Sequence, residues 1–97
     1  MNEKLKDSQT DFLFSAMMTL ETLDDFYSFF EDLCTASEIK SMAQRIQVAS
    51  LLDEGKTYSE IFEITGVSTA TISRVNRSLE YGADGYQTAL KRLKNKN

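Results

Sequence analysis

The chain has 97 residues, one cysteine, no histidine, no proline and a formal net charge of −4. That length suits one domain, and a domain so small buries only about 60–65% of the surface its unfolded chain exposes. A missing histidine removes the commonest general base and metal ligand, and Cys34 alone cannot close an internal disulfide. The charged start (Glu3, Lys4, Lys6, Asp7) and the lack of an apolar run of about 18 residues predict no signal peptide, no membrane span and a cytoplasmic location.

The charge is unevenly distributed. Residues 1–55 hold 4 Lys/Arg and 11 Asp/Glu, a balance of −7, and residues 56–97 hold 7 and 4, a balance of +3. An acidic half joined to a basic half can offer the basic half to phosphates, although uneven surface charge alone is common.

In chain order, residues 1–10 are polar and are expected to fray. From Asp11 to Leu33 large apolar residues (Phe12, Phe14, Met17, Leu23, Phe26, Phe30 among them) are spaced for two amphipathic helices. The break is expected near Glu21–Asp24, where Thr22 and Asp25 have N-cap spacing. Thr35-Ala36-Ser37-Glu38 is a capping box opening a helix that should run to about Glu54 and stop at Gly55. Ile39, Met42, Ala43, Ile46 and Ala49 line one face of it, and Val48, Leu51 and Leu52 a second, so it should pack on more than one neighbour. Thr57-Tyr58-Ser59-Glu60 is a further capping box, for a short helix ending at Gly66. Ser68 then caps a helix to about Tyr81, Gly82 and Gly85 bracket a turn, and a last helix covers roughly Tyr86 to Leu93. The expected fold is all-α with about six helices.

Thr57 to Leu79, TYSEIFEITGVSTATISRVNRSL, has the form of a helix-turn-helix. Gly66 suits the turn, Ile61, Val67, Ile72 and Val75 should meet across it, and Ile72, Val75 and Leu79 make an i, i+3, i+7 stripe. Thr69, Ala70, Thr71, Ser73, Arg74, Asn76, Arg77 and Ser78 are then exposed, with no acid before Glu80. Small side chains at the start of such a helix fit a major groove about 12 Å wide, where Ser, Thr, Asn and Arg can bond base edges or phosphates. The expected contacts to double-stranded DNA are Lys56, Ser68, Thr69, Ala70, Thr71, Ser73, Arg74, Asn76 and Arg77, with the tail Lys94–Asn97 adding phosphate contacts. Phe62 stands where this motif usually has a small residue, which implies a different crossing of the two helices or a partner that covers it. The competing readings are a plain helical hairpin with a solvated face, a dimeric protein-interaction module, and an RNA binder. The exposed face lacks the aromatics that stack single-stranded bases. No residue pattern supports an enzyme, a cofactor or a metal: Cys34 reads as a small buried hydrophobe, and Asp24/Asp25 and Asp53/Glu54 as solvated surface.

The stretch from Leu33 to Leu79, with LCTASE, Arg45, LLDEGKTYSEI and TGVSTATISRVNRSL, resembles the Trp repressor superfamily. It is most similar to the short Trp-repressor-like branch of YerC/YecD type, which also carries the later YGADGY. The resemblance implies a homodimer whose N-terminal helices intertwine, within one domain over 1–97. Dimerisation helices would occupy 11–54, the helix-turn-helix 57–80, and the C-terminal helix and basic tail 86–97. By position Thr35, Arg45, Thr71 and Arg74 match residue types that line the family's amino-acid corepressor pocket. Val75 falls where the tryptophan-sensing member has a glycine against the indole, and the added carbons should exclude a flat ring. The resemblance thus implies a DNA-binding regulator that does not answer to tryptophan, its effector unspecified.

Overall fold

The computed structural model describes residues 3–96, so Met1, Asn2 and the expected tail residue Asn97 lie outside the described residues. A 3-10 turn, Glu3–Leu5, precedes six helices: α1 Ser8–Met17, α2 Leu23–Leu33, α3 Ala36–Asp53, α4 Tyr58–Thr65, α5 Thr69–Tyr81 and α6 Gly85–Lys94. No strand occurs among the described residues, so the all-α expectation holds.

The helix starts follow from short side chains placed to take unpaired amides. At α2, Thr22 Oγ1 accepts from the Asp25 amide at 3.1 Å, and Asp25 Oδ2 accepts from the Thr22 amide at 3.2 Å. The same reciprocal pair recurs at α3 with Thr35 and Glu38 and at α4 with Thr57 and Glu60. One start lies earlier than the sequence suggested. Asp7 Oδ1 accepts from the Thr10 amide at 2.7 Å and opens α1 at Ser8, inside the stretch expected to fray.

The chain divides into two compact units, Met1–Ile39 and Lys40–Asn97. In the first, α1 and α2 have no buried residue. Phe12 is 77% exposed, Met18 84% and Leu23 73%, and Phe14, Tyr27 and Leu33 are also exposed. Phe30 is half-buried and stacks on Phe26, with ring centroids 6.4 Å apart, and meets Phe29 edge-on at 5.5 Å. Cys34, expected to be buried, is half-buried at the end of α2.

The second unit holds the core: Val48, Ala49, Ile61, Val67, Ile72, Val75, Leu79 and Leu90. These come from α3, α4, the α4–α5 turn, α5 and α6, with Ile46, Leu51, Leu52, Tyr58 and Tyr86 packed around them. Only Val48 and Ala49 of α3 are fully buried, while Met42 and Ala43 stay exposed. The face of α3 that carries Met42 and Ala43 thus does not find, along that part, the cover that the sequence led one to expect, whereas Val48, Leu51 and Leu52 pack in or against the core.

Candidate nucleic-acid interface

The α4–turn–α5 segment is held from both sides of its turn. Gly66 ends α4 with φ +71°, a left-handed conformation that suits glycine, and its amide donates to the Phe62 carbonyl at 2.8 Å. The Thr65 hydroxyl donates to the Ile61 carbonyl at 2.7 Å and accepts from the Val67 amide at 3.1 Å. Thr65 therefore ties the last turn of α4 to the residue that plugs the core. Sequence reasoning missed it; a threonine just before the turn glycine is the signal that could have pointed to it.

The packed stripe on α5 is as expected: Ile72, Val75 and Leu79 are buried, facing Ile61 and Val67 in one core. The opposite side carries Ala70, Ser73, Arg74 and Arg77, all exposed, at i, i+3, i+4 and i+7. Thr69 is exposed beside them. Thr71 and Asn76 were expected to be exposed as well, but both are half-buried. At 100° per residue they fall on the shoulders between the packed stripe and the exposed one. Phe62 is 48% exposed on α4, so it does not fill the core and is left for a partner to cover.

The start of α5 is capped by Ser68, whose Oγ accepts from the Thr71 amide at 3.3 Å and donates to Thr71 Oγ1 at 3.1 Å. Arg74 and Arg77 make no ion pair or side-chain hydrogen bond among the described residues, and no acid stands on α5 before Glu80. Lys56 is exposed just before the α4 cap, where its charge adds to the Thr57 hydrogen bonds that hold the Glu60 carboxyl below its ordinary range. The C-terminal cations are not all available. Lys94 Nζ pairs with Asp53 Oδ2 at 2.6 Å, which raises its pKa and fastens α6 to the end of α3. Gln87 Nε2 adds a second tie, donating to the Leu79 carbonyl at 2.6 Å. Both ties escaped the sequence, because they join residues whose neighbourhood only the fold creates.

The four residues matched to a corepressor pocket are divided between the two units. Thr35, in the first, uses its hydroxyl to cap α3. Arg45, Thr71 and Arg74 belong to the second, where both arginines are exposed. Val75, at 2% exposure, is already part of the core. No group of three or more metal-ligating side chains occurs among the described residues, and no helix of the structure is long and apolar enough to cross a membrane.

Residues 8–94 match the family model of the Trp repressor protein. The chain is 52% identical over 92 residues to the uncharacterized protein YerC of Bacillus subtilis (strain 168), covering 95% of this chain and 88% of that protein. Among solved structures it is similar to a TrpR-like protein from Eubacterium eligens ATCC 27750, at 55% identity and a TM-score of 0.92 over 96% of each chain. It is also similar to a protein from Staphylococcus aureus assigned provisionally to the Trp repressors, at 49% identity and a TM-score of 0.92, covering 97% of this chain and 95% of that one.

Proposed function

The chain belongs to the Trp repressor family, and from that premise we propose that it is a dimeric regulator of transcription that reads double-stranded DNA through a helix-turn-helix formed by α4 and α5. The observation that carries this reading is the exposed stripe Ala70, Ser73, Arg74, Arg77 with Thr69 beside it, free of acids and backed by the buried stripe Ile72, Val75, Leu79. Small side chains let a helix approach the base edges, and arginines not engaged elsewhere supply forked donors to guanine or phosphate. Lys56 and Ser68 flank that stripe, and Thr71 and Asn76 edge it. The family model supports a DNA-binding regulator, not an enzyme.

The dimer is supported by the first unit. Its exposed Leu5, Phe12, Phe14, Met18, Leu23, Phe26, Tyr27 and Leu33 leave on the order of 1,000 Å² of mostly apolar surface uncovered, at about 200 Å² for each large side chain. A stable interface needs about 800 Å² from each partner. Residues 1–39 carry nine acids and two lysines, so two such segments face to face would repel, whereas residues 40–97 hold nine bases and six acids. A dimer in which the acidic segment of each copy lies on the basic segment of the other satisfies both charge and apolar burial, which is the intertwined arrangement. Two-fold symmetry then presents two α5 helices to successive major grooves about 34 Å apart.

The same apolar, acidic surface favours a second reading, in which the dimer binds a partner protein and DNA plays no part. Selection from random-sequence DNA at moderate salt separates the two. The regulator reading expects an enriched pseudo-palindrome; recovery of no preferred sequence overturns it.

A further inference from the structure

Resting on the DNA-reading role proposed above, we infer that Thr71 is a positioning residue whose hydroxyl is interlocked with that of Ser68, and that sequence selectivity is borne by Thr69, Ala70, Ser73 and Arg74. A hydroxyl has one proton to give and two lone pairs. The two hydroxyl oxygens share one hydrogen bond at 3.1 Å, and one Ser68 lone pair takes the Thr71 amide. Thr71 supplies both other atoms of the interlock, its amide and its Oγ1. Releasing it toward a base would free the Ser68 side chain and uncap α5 at the end that approaches the groove.

Placement agrees with this. Thr71 is half-buried, one residue before buried Ile72 and four before buried Val75, so it shares its edge of α5 with the packed stripe. Thr69, Ala70, Ser73 and Arg74 are exposed, and no side-chain hydrogen bond among the described residues restrains them. The interlock therefore fixes where the first turn of α5 sits, and its neighbours do the reading.

The test compares wild type with Thr71→Val, which keeps the shape and removes the hydroxyl, and Thr71→Ser, which keeps the hydroxyl. Each full-length protein is titrated against the selected DNA site and all its single-base-pair variants. NMR measures exchange of the Thr71 amide in the DNA-free proteins. Thr71→Val is expected to weaken binding to every sequence by a common factor of about fivefold. Base preferences should stay in the same order, and the amide should exchange several-fold faster. Thr71→Ser should restore both. Loss of preference at one base pair in Thr71→Val makes Thr71 a reader and overturns the inference. Unchanged amide exchange overturns the interlock itself. A wild type with no base preference overturns the regulator reading, and the positioning role with it; the DNA-free exchange shows in that case whether the interlock exists.

Discussion

At the scale of single residues, the interface depends on which side chains are already committed. Arg77 closes the exposed stripe at its C-terminal end and makes no ion pair among the described residues. Arg77→Ala should therefore lower the slope of log affinity against log salt by about 1 for each phosphate that its guanidinium neutralises in each protomer. An unchanged slope in a DNA titration would remove Arg77 from the phosphate-binding set. Val75 is committed to the core, so the wild type should give no binding heat with tryptophan in calorimetry, and Val75→Gly should lose about 3 kcal/mol in denaturant unfolding. Two glycines at the α5–α6 turn should behave oppositely. A Cβ at Gly82 would stand 2.3 Å from the Ser78 carbonyl oxygen, whereas one at Gly85 meets nothing within 4 Å. Gly82→Ala should cost about 1–3 kcal/mol, because backbone must shift to admit the methyl group. Gly85→Ala, at the first turn of α6, should be neutral or stabilising by up to about 1 kcal/mol. The core residues of the turn were legible in the sequence because apolar spacing on a helix has one geometric solution. Thr71 and Asn76 were harder: position on a helical wheel separates front from back but does not resolve the shoulder, where burial depends on the neighbouring helix.

Among the elements, helix starts were the easiest to read. Thr22/Asp25, Thr35/Glu38 and Thr57/Glu60 are local pairs three residues apart, needing no tertiary contact, and each forms as its spacing suggests. Asp7 caps alone, with no reciprocal partner three residues on and inside a polar stretch ahead of the first large apolar residue Phe12, and so went unread. The tie between the far ends of α3 and α6 was illegible for another reason, since the Lys94–Asp53 pair joins positions 41 residues apart. Thr57→Ala should destabilise the second unit by about 1 kcal/mol. The box also gives a signed pH effect. Backbone and side-chain hydrogen bonds from Thr57 hold the Glu60 carboxyl below its ordinary value. A carboxyl depressed by folding stabilises the fold above its unfolded pKa, and that contribution is lost as pH falls through the folded one. The stability gap between wild type and Glu60→Ala should therefore be full near neutrality and narrow in acid, a trend that thermal melts across pH can follow. A gap that widened on acidification would show that the carboxylate is not the capping form.

For the whole molecule, the two units rest on different supports. Residues 40–97 have a core of their own, and α1 and α2 bury nothing. If the chain is the dimer proposed above, dilution should convert it to monomer in sedimentation, with a rise in binding of an apolar dye and loss of helix confined to residues 3–39. Replacing Phe12 and Tyr27 together by Asp should give the monomer at every concentration. If sedimentation shows that double variant still dimeric, those aromatics do not form the interface. Little of this level was readable beforehand. Dense aromatics in residues 12–30 mark apolar surface to be covered, but a single sequence does not distinguish a core within one chain from one shared by two.

The uncovered first unit also bears on how long each copy survives. Helices with no buried side chain open readily, and opened segments are where proteases cut. Whatever covers α1 and α2 shields them from cleavage, and a copy without that cover presents about forty residues of degradable chain. Turnover would then fall on the unassembled copies, so that the steady supply of this protein follows the number that have found their cover.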